Sequence, residues 1–379
     1  MLHTIPMVDL QAQYRRFKGE IDAVILNVLD EGIFIQGNIV RQFENQLAET
    51  LNVKHVITCA NGTDALQIAF MALDLPKGSE VIIPTYTYAA LAEVLHLLGL
   101  TPVFVDVIKD GFLMDVSQIT SLITSKTKAI APVHLFGECA DLLEIIKIAK
   151  QHSLFVIEDT AQAIGSVFCA EGLSGFAGTL GDIGTTSFFP SKNLGCYGDG
   201  GAIFTNNDHL ANKMRMIANH GQSKKYIHDI VGINSRLDTL QASILMVKLN
   251  HLKSFTSHRQ KLAQTYIDAL GKLDGVFVPQ KSEYSTHVYH QFSILMTDKA
   301  MRDSLKLHLE KNGVHSAVYY SLPLHKQLAY RTNDSLPLSE AICNRVLSLP
   351  ICPELTNENQ DRIINLIIEF TQNYKNNLK

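Results

Sequence analysis

Between residues 55 and 206 short apolar, β-branched runs alternate with segments of helical period, and this alternation narrows the possible folds more than any other feature. Parallel strands cannot be joined by a tight turn, so each needs a long crossover, usually a helix, before the next begins. The runs fall at residues 55–60, 80–84, 102–107, 129–135, 155–159, 185–189 and 202–205. Between them, residues 64–73, 88–98, 141–150 and 208–219 carry apolar side chains three and four apart, the spacing of amphipathic helices. The class read from this pattern is α/β, with a mostly parallel seven-stranded sheet covered by helices on both faces.

After about residue 240 the pattern changes. A long helical stretch, 239–270, leads into alternating segments at 289–296 and 314–320, and residues 357–374 close the chain as a helix. A chain of 379 residues has room for a second unit. The division expected is an N-terminal arm and large domain over 1–245 and a smaller α+β domain over 246–379. The first forty residues show helical spacing around Tyr14, Ile21 and Val24, and their GIFIQG end is expected to reach a partner subunit.

Charge excludes one class of function. Lys and Arg total 33 against 37 Asp and Glu, the net charge is −4, and no basic stripe offers a footprint for nucleic acid. Six cysteines are dispersed with no CxxC pair, so neither a disulfide scaffold nor a metal site is expected. The first residues lack the apolar core of a signal peptide, and the longest apolar stretch, 89–100, is interrupted by Glu93 and His96. A cytoplasmic protein with no membrane segment is expected.

Open parallel sheets bind ligands at the carboxyl edge of their strands, and four polar interruptions lie where such an edge would be. In CANGTDALQIAF a strand gives way to a helix beginning at Thr63 or Asp64. The adjacent glycine would leave N–H groups free for an anion, while a plain N-cap is the alternative. In FVIEDTAQAIGS a strand ends on Glu158 and Asp159, with Gln162 following. An acid there can hold a protonated ring nitrogen, or simply cap the next helix. In TTSFFPSKNLGCYGDGGAIFTNN, Lys192 stands in a glycine-rich, charge-poor stretch after Ser187. Desolvation would lower its pKa and make it a nucleophile for an aldehyde, although an ordinary loop lysine is the commoner case. Finally GINSRLDTLQA brings Asn234 and Arg236 to the start of the long helix, where Arg236 can clamp an anion or pair with Asp238.

A phosphate cradle, an acid for a ring nitrogen and a reactive lysine on one sheet are the contacts that pyridoxal 5′-phosphate needs. With NGTDAL, PTYTYAA, VIEDTAQAIG, SFFPSKNLGCYGDGGAI and GINSRLDTLQA at their spacing, the chain resembles the DegT/DnrJ/EryC1/StrS sugar aminotransferases of fold type I over residues 8–353. The resemblance implies that Lys192 is the Schiff-base lysine and proton shuttle. By the same resemblance Asp159 holds the pyridinium nitrogen and Gln162 the ring 3′-oxygen, Tyr88 stacks on the ring, and Gly62, Thr63 and Ser187 take the phosphate. It also implies a homodimer with shared active sites, Asn234 completing the phosphate site of the other subunit and Arg236 meeting an acidic group of substrate. Tyr320 and His325 match a region lining the sugar side of the cleft.

The resemblance further implies transfer of the amino group of L-glutamate to a keto sugar, with pyridoxal phosphate as cofactor. A nucleotide-linked 3-keto sugar for surface polysaccharide or lipopolysaccharide is the expected acceptor, and an 8-keto form of 3-deoxy-octulosonate is the alternative. Relatives with His at the lysine position are dehydratases, and Lys192 argues against that activity. A desulfurase or lyase would need a reactive cysteine, for which Cys196 is the nearest, and a regulatory protein that merely binds the cofactor is the reading outside catalysis. His287, Tyr289 and His290 form an aromatic cluster, read either as a packed edge or as a substrate contact.

Overall fold

The computed structural model describes residues 4–280 and 282–376. All seven expected strands form one sheet: β1 (His55–Cys59), β2 (Glu80–Pro84), β3 (Thr101–Val105), β4 (Thr127–Ile130), β5 (Phe155–Asp159), β6 (Ile183–Ser187) and β7 (Gly201–Thr205). Their spatial order is β1-β7-β6-β5-β4-β2-β3. Only β7 runs against its neighbours, being antiparallel to both β1 and β6. Cys59 and Ser187, the last residues of β1 and β6, therefore both pair with Gly201, the first residue of β7. That register brings three chain segments together at one edge of the sheet.

The strands are apolar because both faces are covered. On one face Leu66, Phe70, Leu91 and Leu95 from the helices Gly62–Ala72 and Ala90–Leu97 pack against Ile57, Val81 and Ile83. On the other, Ile145 and Ile148 of Leu142–His152 meet Ile82, Ile130 and Val156. Two strand pairs escaped the sequence pattern, one of them the short antiparallel pair Gln222–Lys224 and Ile227–His228. Val167–Ala170 and Leu173–Phe176 form a hairpin outside the main sheet, and its Cys169 N–H donates to Tyr284 O at 2.8 Å.

The second unit is a three-stranded antiparallel sheet of Val276–Phe277, Phe292–Met296 and Val346–Leu349, packed by the helices Lys299–Lys311 and Asn357–Asn376. Three expectations here need correction. The stretch 239–270 is two helices, Thr239–Leu249 and Leu252–Leu270, broken at Asn250 and His251. Asparagine competes for backbone hydrogen bonds and is a poor helix former, and the Asn250 side chain is taken by Gln46 at 2.7 Å. The second helix starts on the large core at Leu252 and ends in the small core at Leu262 to Leu270, whereas residue 245 lies inside the first helix.

The segment 314–320 is not a strand but makes only isolated bridges, Val314 to Ile5 and Ala317 to Ser348. Tyr86 Oη takes the Tyr320 N–H at 3.1 Å, which draws the chain away from the sheet and toward the cleft. The strand expected over 289–296 starts only at Phe292, because Tyr289 sits at φ +46°, in the left-handed region.

The N-terminal segment is three helices, Leu10–Arg16, Lys18–Glu31 and Asn38–Leu51, docked by Phe17 and Ile21 on Ile244, Val247 and Phe255. Leu26 and Leu29 of the second helix and Ile33, Phe34 and Ile35 of the link that follows it are exposed. Among the described residues no helix is long and apolar enough to cross a membrane.

Candidate active site

The turn after β1 forms an anion cradle. The helix begins at Gly62, earlier than expected, and its cap is Asn61 rather than Thr63 or Asp64: Asn61 Oδ1 accepts the Asp64 N–H at 2.8 Å. The N–H groups of Gly62 and Thr63 have no acceptor among the described residues. Ser187, at the end of β6, stands against this turn so closely that a Cβ on residue 62 would lie 2.7 Å from Ser187 Cβ. Only glycine permits that approach. Ser187 Oγ accepts the Phe189 N–H at 3.2 Å and keeps its own hydrogen to donate. Two free N–H groups, a hydroxyl and the positive end of a helix dipole converge where a phosphate would fit.

β5 supplies two acids that alternation sends to opposite faces. Glu158 points inward and is fully buried. Its oxygens accept from His134 Nε2, Gly178 N and Leu180 N, each at 2.8 Å, and from Gly181 N at 2.5 Å. Burial alone would push this carboxyl up, but the His134 Nε2–H bond together with these backbone N–H donors outweighs it and holds its pKa below the ordinary 4.5. His134 Nδ1 accepts the Ala140 N–H at 3.0 Å, which assigns the ring hydrogen to Nε2.

Asp159 faces the cleft. Burial raises its pKa, opposed by the Ala161 N–H on Oδ1 at 3.0 Å and by the positive charge of Lys192. A carboxyl so placed favours a cationic partner.

Lys192 rides on a loop closed at its base by the Cys196 N–H to Phe188 O at 2.8 Å and internally by its own N–H to Phe189 O at 2.8 Å. The loop folds back so tightly that a Cβ on Gly195 would lie 2.4 Å from Pro190 O. Burial brings the Lys192 amine from 10.5 down to about 8, with Asp159 opposing the shift. The amine has no hydrogen-bond partner among the described residues. Cys196 is fully buried, its thiol donates to Phe188 O at 3.0 Å and Gly198 O at 3.1 Å, and burial pushes its pKa up to about 11. Such a thiol is a packing group rather than a nucleophile.

The remaining candidates divide. Gln162 Oε1 is occupied by the Phe136 N–H at 2.8 Å, and its Nε2 donates to Tyr320 Oη at 3.1 Å. Tyr88 is exposed, with its ring centroid 6.4 Å from that of Tyr320, so both tyrosines border one opening. His325 requires correction as a cleft-lining residue. It is fully buried, with Nδ1 bonded to Thr85 Oγ1 at 2.7 Å and Nε2 to Glu340 Oε1 at 3.1 Å, so neither nitrogen is left for a sugar.

The side chains of Asn234 and Arg236 make no hydrogen bond or ion pair among the described residues, so Arg236 does not pair with Asp238. Between them the buried Ser235 accepts the Ala60 N–H at 3.0 Å, which anchors this segment beside the end of β1. In the aromatic cluster the His287 and Tyr289 rings stack at 3.9 Å, and the buried His290 bonds Asn193 Oδ1 at 3.3 Å. The cluster packs, and braces the residue after Lys192. Sequence reasoning missed Asn61, His134 and Tyr86. An Asn before Gly at a strand end, and a lone His closing an apolar strand in PVHLFG, were the available signals for the first two.

The DegT/DnrJ/EryC1/StrS aminotransferase family matches residues 16–368. The chain is 44% identical to the UDP-N-acetyl-3-dehydro-α-D-glucosamine 3-aminotransferase of Acidithiobacillus ferrooxidans, over 96% of this chain and 97% of that one. It is 43% identical to a pleiotropic regulatory protein of Geobacillus stearothermophilus, over 98% of this chain and 99% of the relative. The solved structure of NtdA from Bacillus subtilis, with bound cofactor PMP, superposes with a TM-score of 0.90 at 33% identity, over 98% of this chain and 86% of that one.

Proposed function

Because the chain belongs to the DegT/DnrJ/EryC1/StrS aminotransferase family, we propose that it is a pyridoxal-phosphate-dependent aminotransferase moving the amino group of L-glutamate to a nucleotide-linked 3-keto sugar for surface polysaccharide. The observation that carries this reading is the Lys192 amine, brought down to about 8 beside Asp159 and unbonded among the described residues, in the same domain as the anion cradle of Gly62, Thr63 and Ser187.

Gly62, Thr63 and Ser187 would hold the cofactor phosphate, Asp159 its ring nitrogen, and Tyr88 the ring face. Gln162 keeps one Nε2 hydrogen for the ring oxygen. When bound, pyridoxal phosphate supplies an electron sink for the carbon that loses its proton. Lys192 Nζ is the base that takes that proton and the acid that returns it, and a pKa near neutrality lets one amine do both. Tyr320 borders the entrance from the small domain and contacts the sugar.

The acceptor assignment rests on likeness to the Acidithiobacillus enzyme, whose name specifies a 3-keto UDP-sugar. The Geobacillus relative favours a regulatory reading, in which the chain would bind pyridoxal phosphate without turning over L-glutamate. We assign a homodimer in the cytoplasm; the dimer is supported by the exposed Leu26, Leu29, Ile33, Phe34 and Ile35 and by Asn234 and Arg236, whose side chains have no partner among the described residues. In that arrangement Asn234 serves the partner's phosphate site and Arg236 an acidic group of substrate. The division of the chain into units belongs within the helix Leu252–Leu270.

The test is to incubate the protein with pyridoxal phosphate, L-glutamate and either UDP-N-acetyl-3-keto-glucosamine or 8-keto-3-deoxy-octulosonate, and to read products by mass spectrometry. The expected result is an amino sugar from the UDP-linked compound. Amination of the octulosonate alone would replace the acceptor, and no amination of either would refute the substrate class.

A further inference from the structure

Lys248 stands in the last turn of Thr239–Leu249 among apolar neighbours and is 1% exposed. Burial brings its amine from 10.5 down to about 8, although Cys196 and Glu354 act in the opposite sense. A methionine of similar length would fill the same space without desolvating a charge, so stability alone gives no reason for an ammonium here.

Both of its contacts fall on the loop that carries Lys192. Nζ donates to Gly195 O at 2.7 Å, and it lies 4.1 Å from the centroid of the Tyr197 ring. Two turns earlier on the same helix, Gln241 Oε1 accepts the Tyr197 N–H at 2.8 Å. From the small domain, Asn193 Nδ2 donates to Val288 O at 3.2 Å and its Oδ1 bonds His290. The loop is thus held from two directions just beyond its reactive residue, by the small domain at Asn193 and by the helix at Gly195 and Tyr197, where one fastener is a buried cation.

We propose that Lys248 is a positioning residue for amino transfer: its ammonium fixes the Gly195 carbonyl and the Tyr197 ring, and so keeps Lys192 Nζ desolvated opposite Asp159. This rests on the assignment of Lys192 as the reactive amine. Charged and titratable groups near the two lysines are Asp159 and His290 at Lys192, and Cys196, Tyr197 and Glu354 at Lys248. With Lys248 shortened or neutralised the loop relaxes toward water. Loss of burial raises the Lys192 pKa.

The experiment is competitive acetylation of the full chain, before cofactor is added, between pH 6 and pH 11, read at Lys192 by peptide mass spectrometry. In the unsubstituted chain the midpoint is expected near 8. In Lys248→Met it moves up by about one unit, a roughly tenfold loss of neutral amine at pH 7. Amide exchange across residues 188–196 quickens, and kcat for L-glutamate falls about tenfold while KM changes little. Lys248→Arg, which retains charge and donors, moves the midpoint back toward that of the parent.

If Lys248→Met does not fold, Tyr197→Leu keeps the amine but removes the ring beneath it, and a smaller shift of the same sign is expected. An unchanged midpoint and unchanged loop exchange in the variant that folds would overturn the proposal. Failure of the functional assignment is separable: a chain that binds no pyridoxal phosphate at Lys192 refutes that assignment, while the acetylation midpoints are measured without cofactor.

Discussion

Lys192→Ala is expected to lower amino transfer by about 10³-fold or more, because one amine serves as covalent anchor, base and acid, and general acid–base catalysis alone contributes about 10² to 10⁴. The loss should fall on kcat. Stability should move the other way. An amine brought from 10.5 to about 8 by burial opposes folding while it is charged in both states, a penalty fully present below pH 8 that fades between pH 8 and 10.5. The variant should therefore match or exceed the parent in thermal denaturation at pH 7, with the advantage shrinking as pH rises. A variant retaining parental turnover would remove Lys192 from the mechanism.

The second large effect concerns stability. Glu158→Gln is expected to cost about 2–4 kcal/mol, because an amide of the same shape turns an NH₂ against two of the four N–H groups that now converge on a carboxylate, either those of His134 and Gly178 at Oε2 or those of Leu180 and Gly181 at Oε1. The pH dependence follows from the direction of the shift. The folded-state pKa of Glu158 lies below its ordinary 4.5, so its contribution is complete above pH 4.5 and is lost as pH falls through the folded value. Urea denaturation of both proteins from pH 8 to pH 3 should show a constant gap that closes only at the acid end. A gap that widened on acidification would mean that Glu158 is protonated in the folded state. Because Glu158 also positions the loop 178–181 and orients His134 behind Asp159, the variant should lose activity beyond its loss of folded protein.

The large sheet was legible because fully covered parallel strands must be continuous apolar runs, and their ends are marked by polar residues. β2 and β5 fall at their expected limits, and Asp159 and Lys192 are read from the same interruptions that end the strands. What failed was whatever depended on a distant partner. Residues 314–320 alternate like a strand, but Tyr86 takes the Tyr320 amide and the chain leaves the sheet. His325 sits beside cleft residues in sequence, yet Thr85 and Glu340 close on both ring nitrogens. Glu158 and Asp159 are indistinguishable as neighbours in a sequence, and only the alternation of a strand buried on both sides separates a structural acid from one in the cleft. Lys248 reads as a charge at the end of a helix until the loop of Lys192 is folded against it.

The most direct test of the central claim is the absorption spectrum of the purified protein loaded with pyridoxal phosphate, taken before and after addition of L-glutamate. The account predicts that the band of the lysine-bound cofactor disappears, a pyridoxamine band takes its place, and 2-oxoglutarate is released in equal amount. A bound cofactor whose spectrum L-glutamate leaves unchanged would contradict it.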